Sequence, residues 1–122
     1  MEKTRAWEKA LKTGNWNEAA ALIREELESR SHNPLLHYNL AICLLESEEL
    51  QEAEKHLRET IVRDPLFTKA WYALAQLFLA TGRKQEAFRA FSEILVIQPY
   101  RPEAQLSEEK LEALRTEFAN MS

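Results

Sequence analysis

A chain of 122 residues carrying 16 basic and 20 acidic side chains is the size of one ordinary domain, able to bury about two thirds of the surface its unfolded form exposes. Its formal net charge of −4 excludes a nucleic-acid surface, which rests on clustered Lys and Arg that displace counterions. Cys43 is the one cysteine, so no intramolecular disulfide can form, and the small thiol reads as a buried apolar residue in a reducing compartment.

The opening MEKTRAWEKALKTGNW is charged from its second residue and has no apolar h-region, so it does not read as a secretory signal. No run approaches the roughly eighteen apolar residues of a membrane helix. A soluble, cytoplasmic protein with neither membrane nor nucleic acid as partner is the expectation. With 2 Gly and 4 Pro, and with Ala, Leu, Glu, Lys and Arg dominant, the chain reads as almost wholly helical.

In chain order, the first segment, about 1–33, breaks at Gly14-Asn15 and carries Ala19 and Ile23 beyond the break. The second, about 34–67, opens at Pro34 and sets Leu36, Leu40, Cys43 and Leu44 on one helical face. It breaks at Glu48-Glu49, continues through Ala53 and Leu57, and closes at Pro65. The third, about 68–101, repeats the scheme with Ala70, Leu74, Leu77 and Phe78, a break at Gly82-Arg83, then Ala87, Phe91 and Pro99. The prolines fall between periodic segments, where a missing N–H does no harm.

The breaks recur every 34 positions (14, 48, 82), as do Glu18-Ala19, Glu52-Ala53 and Glu86-Ala87. Each unit is therefore two short helices joined by a tight turn. The recurring Ala is small because the two helices cross closely there, and the Glu before it suits the positive end of the second helix. Glu48 stands where the other units place glycine. If that turn needs a positive φ, either Glu48 carries strain of about 1 kcal/mol or the turn has another shape. After Pro102, Leu111, Leu114 and Phe118 fall at helical spacing among Glu108, Glu109, Glu112 and Glu117. Residues 102–119 read as a capping helix that hides the last apolar face behind a polar back. The alternative is the first half of a fourth unit whose partner helix comes from another chain.

This pattern resembles the tetratricopeptide repeat (TPR) family. The third unit carries the signature best, as Trp71-x2-Leu74-Ala75-x2-Phe78, Ala87-x3-Phe91 and Pro99. The second keeps Leu40-Ala41, Leu44, Ala53, Leu57 and Pro65, with His37 in the Trp place. The first keeps Gly14, Ala19 and Ile23 but has Ser31 where the closing proline belongs. The resemblance implies one all-α domain, a right-handed superhelical stack of three helix-turn-helix units plus the cap, whose first helices line a concave groove that holds peptides.

Carried over by position, the groove residues are Thr4, Arg5, Glu8 and Lys12 on the first inner helix. On the second they are Leu35, Tyr38, Asn39, Ile42, Leu45 and Glu46, and on the third Lys69, Tyr72, Ala73, Gln76, Leu79 and Ala80. Tyr38, Ile42, Leu45, Tyr72 and Leu79 are apolar or aromatic outside the repeat's own packing face, which suits an apolar peptide or an amphipathic helix. The competing expectation is that the cap or the N-terminus folds back over them. The clamp by which some family members hold chaperone C-terminal tails is matched at Asn39 and Lys69. Its other places hold Thr4, Glu8 and Ala73, and Glu8 repels a carboxylate.

Catalytic constellations do not emerge. His32, His37 and His56 fall in different elements, none three or four residues from another His or from Cys43, so one helical face offers no two metal ligands. The carboxylates cluster as solvated helical surface, and phosphate loops and nucleophile elbows are absent. The expected function is a non-enzymatic adaptor or assembly factor without cofactor or metal. The alternatives are a self-associating building block and a chaperone-tail binder.

Overall fold

Every break in the apolar pattern becomes a turn between two helices. The computed structural model describes residues 5–121 and places seven helices along them: α1 (Ala6–Lys12), α2 (Trp16–Ser29), α3 (Pro34–Glu46), α4 (Leu50–Arg63), α5 (Thr68–Ala80), α6 (Lys84–Ile97) and α7 (Pro102–Asn120). No strand occurs among the described residues. The chain divides into two compact units, one ending at Asp64 and one beginning at Pro65.

The turns inside the three repeats are the same object. Asn15, Glu49 and Arg83 each donate a backbone N–H to a carbonyl five residues back, on Ala10, Leu44 and Phe78, at 2.8 Å in all three cases. Gly14, Glu48 and Gly82 donate to Leu11, Leu45 and Leu79 at 3.1, 3.1 and 3.2 Å. This pair of bonds is the Schellman closure of a helix, and it requires a left-handed residue at its corner. The corners have φ of 76° at Gly14, 60° at Glu48 and 78° at Gly82. Glu48 therefore holds a conformation that its Cβ disfavours, the strained one of the two outcomes the sequence left open.

Helix starts follow local chemistry. Asn33 caps α3 through Oδ1, which accepts from the N–H groups of Leu35 (2.9 Å) and Leu36 (3.3 Å), with Pro34 in the first turn where no N–H is needed. Glu18, Glu52 and Glu86 lie in the first turns of α2, α4 and α6, at the positive end of each dipole.

In the unit ending at Asp64, α1 packs on α2, α2 on α3 and α3 on α4. Trp7, Ile23, Leu36, Leu40, Leu44 and Ala53 meet in its core. In the unit beginning at Pro65, α5 packs on α6 and α7 packs on both. Leu74, Phe91, Ile94, Leu111 and Leu114 are buried there. The cap is held by the ring of Phe118, 5.9 Å from that of Phe88, by Arg115 over Phe88 at 5.6 Å, and by a Lys84–Glu117 ion pair at 2.6 Å. Most of its outward residues are polar, with Leu106 and Met121 the large apolar exceptions.

The shared turn yields paired outcomes. Glu48→Gly raises stability by about 1 kcal/mol, because relief of the left-handed strain exceeds the added freedom of the unfolded chain. Gly82→Ala lowers it by a similar amount. Urea unfolding checks both, and a less stable Glu48→Gly variant would contradict the strain.

Candidate functional site

Helix α3 has two kinds of surface. Leu36, His37, Leu40, Ala41, Cys43 and Leu44 are buried, while Tyr38, Asn39, Ile42 and Leu45 are half-buried and Leu35 is 42% exposed. The second set leaves α3 with an accessible stripe that is apolar and aromatic apart from Asn39. Leu45 also packs against the core of its unit, so part of its surface is already used. On the N-terminal side Arg5 precedes α1, half-buried, with its guanidinium 5.6 Å from the centre of the Trp7 ring. Glu8 is half-buried, and Lys12 is exposed. Thr4 lies outside the described residues.

In the second unit α5 presents Lys69 and Gln76 exposed, with Tyr72 and Leu79 half-buried. Tyr72 meets the buried Phe91 edge-on at 5.7 Å, and its hydroxyl accepts from Gln76 Nε2 at 3.3 Å. Burial, and then the Glu109 carboxylate on α7, push its phenol above the ordinary value. Helix α7 thus carries a negative charge whose field reaches Tyr72. The five apolar residues expected to form an exposed patch are all half-buried. Each of these helices is flanked by more than one neighbour, so side chains beside the main packing stripe rest one flank on their own unit. Tyr72→Ala consequently weakens the fold as well as the face.

The sequence missed one juxtaposition. His37 on α3 and His56 on α4 meet across the helix pair, with Nδ1 to Nδ1 at 3.0 Å and stacked rings whose centroids lie 5.2 Å apart. Looking along single helical faces does not reveal ligands contributed by two helices. Among the described residues no group of three or more His, Cys, Asp or Glu is arranged to hold a metal ion.

A tetratricopeptide repeat model matches residues 10–77, more than half of the chain. The chain belongs to the tetratricopeptide repeat family. It is 36% identical over 76 residues to the TPR repeat-containing thioredoxin TTL4 of Arabidopsis thaliana, a match that takes in 62% of this chain and 11% of that relative. Its fold is similar to the first TPR of Spaghetti (RPAP3) bound to the HSP90 peptide SRMEEVD, with a TM-score of 0.82, 20% identity, and coverage of 93% of this chain and 87% of that one. It is also similar to the Yersinia enterocolitica type III secretion chaperone SycD in complex with a peptide of the translocator YopD, with a TM-score of 0.85, 15% identity, and coverage of 91% and 88%.

Within this TPR chain Cys43 is packing material. Its thiol is buried in the core, and burial raises its pKa to about 11. Too little thiolate forms near neutrality for attack. Folded protein is therefore expected to resist a thiol reagent at about pH 8 and to react fully once unfolded in urea. Rapid labelling of the folded chain would show that α3 is not closed over the sulfur.

Proposed function

We propose that this TPR chain is a non-enzymatic protein-interaction module that holds a partly apolar peptide or an amphipathic helix of another protein on the first helices of its repeats. The observation that carries the reading is the half-open stripe on α3. Tyr38 and Ile42 there keep accessible surface beside Asn39, outside the stripe of Leu36, Leu40 and Leu44 that packs the unit. Tyrosine offers large contact area at low entropic cost with a polar tip for orientation. On α5, Tyr72 and Leu79 supply the apolar contact and Gln76 the amide. Lys69 reads charge in that unit, while in the unit ending at Asp64 Arg5 does so and Glu8 disfavours acidic residues near α1. That proteins of similar fold hold peptides, the first TPR of RPAP3 one of HSP90 and SycD one of YopD, supports a peptide as ligand.

An acidic chaperone tail is the poorer fit. Two of the clamp places hold Glu8 and Ala73, and Glu109 adds a further carboxylate beside Tyr72. The proposed ligand is therefore apolar first and charged second.

The test is retention of a partner from a lysate of the source cell by wild type and by a Tyr38→Ala/Asn39→Ala variant, both first shown equally helical by circular dichroism. The expected result is a protein kept by wild type and lost by the variant, with each substitution weakening binding by about 1–2 kcal/mol in titration. Equal retention would remove α3 from the binding face. Mass that rises with concentration in sedimentation, with no partner retained, would replace this reading with self-association.

A further inference from the structure

We propose that the cap helix carries a docking site of its own, a cavity at the start of α7 that takes the indole of a tryptophan on a basic segment of another protein. The site is a place that the two preceding first helices fill for themselves. Helices α3, α5 and α7 start in register, at Pro34, Thr68 and Pro102, each 34 residues on. On α3, His37 Nε2 lies 2.8 Å from the Ser31 carbonyl, which can only accept, so the ring donates. On α5, Trp71 Nε1 donates to the Pro65 carbonyl at 2.8 Å. Each of these repeats thus lays one ring against the chain 6 residues before it. On α7 the corresponding residues are Gln105 and Pro99. Gln105 is exposed, and the Pro99 carbonyl accepts no hydrogen bond from a described residue.

A cavity of about 300 Å³ lies at this place, with both residues in its lining beside Leu95, Tyr100, Ala104 and Glu108. That is the small end of the volumes that hold ligands. Leu95 and Ala104 give it apolar contact, Tyr100, 98% exposed, gives it an aromatic wall, and Pro99 brings the carbonyl that its counterpart Pro65 offers to Trp71. Indole matches this set, being a large apolar ring with a single N–H donor. A phenyl ring would cover the Pro99 carbonyl without supplying a donor, which is costly.

Charge decides what surrounds the tryptophan. Glu108, Glu109 and Glu112 occupy the places of Leu74, Ala75 and Phe78, which are buried on α5, and all three are exposed on α7. Arg115 approaches Glu112 at 4.0 Å, whereas Glu108 and Glu109 have no ion-pair partner among the described residues. The surface running on from the cavity is therefore anionic, so Lys or Arg flanks the tryptophan of the incoming segment and an acidic segment is repelled. A second copy of this chain is the poorer occupant. Its Trp7 is buried, its Trp71 is bonded to Pro65, and its Trp16 is half-buried two residues from Glu18.

The register supplies the experiment. A short Lys-rich helical peptide with one central Trp, and its twin with Ala in that place, are titrated into the protein by calorimetry and followed by the protein's amide NMR shifts. The Trp peptide is expected to bind about tenfold more tightly than the twin and to move the amides of Ala104, Gln105 and Glu108. Gln105→Trp, at an exposed position, gives the cavity the chain's own indole and is expected to abolish that tenfold advantage. Glu108→Lys is expected to weaken the Trp peptide about two- to fivefold. The Tyr38→Ala/Asn39→Ala variant, which tests the α3 face, is expected to bind the peptide as wild type does. Equal or absent binding of the two peptides, or an advantage that survives Gln105→Trp, would overturn the site. Shifts confined to α3 and α5 would overturn it as well, by moving the peptide to the other face.

Discussion

The two helices of each repeat can lie close together because Ala19, Ala53 and Ala87 present only a methyl group where they cross. All three have no exposed surface. A larger side chain at that place forces the axes apart and opens the interior of the repeat, where packing is dense and one methylene is felt. From this constraint the remaining layout follows. Ala53, Leu57, Leu36, Leu40 and Leu44 are among the buried residues of α4 and α3, which pack on each other, and Ala87, Phe91, Ala70, Leu74 and Phe78 are among those of α6 and α5, which do the same.

Relative magnitudes explain what this arrangement tolerates. Each fully buried Leu contributes about 1.5–3 kcal/mol of hydrophobic stabilisation, and α3 alone buries Leu36, Leu40 and Leu44. A left-handed Glu48 at about 1 kcal/mol is outweighed, so the second repeat keeps the turn geometry of the other two without their glycine. The same pairing decides which part of α3 stays accessible. One stripe is committed to α2 and α4, and Tyr38, Asn39 and Ile42 fall beside it, half-covered and half-open.

Much of this was legible in the sequence because it is periodic. Helical spacing located the buried stripes of α3 and α5, and the 34-residue recurrence located the turns. Glu48 in a register of glycines raised the question of a positive φ, which its φ of 60° answers. The sequence did not show how much of each side chain its neighbours take. Leu45 packs on the core, and Tyr72 rests on Phe91 with Glu109 nearby, because helices flank one another on more than one side. Nor did it show the meeting of His37 and His56, since period arguments run along one helix and the pair is set by the register of two. The available signal lay in comparing repeats, where Trp71 and Ala90 occupy the equivalent places as a complementary large and small pair.

The claim that most directly bears the rest is the close crossing, and one comparison tests it. Urea unfolding of Ala53→Leu is set beside that of Ala21→Leu, an exposed alanine on α2. The crossing predicts a loss of about 1–3 kcal/mol for Ala53→Leu from overpacking and a change within about 0.5 kcal/mol for Ala21→Leu. Equal stability of the two variants would mean that α3 and α4 accommodate a bulky residue where they cross, and that the recurring alanine does not set the repeat.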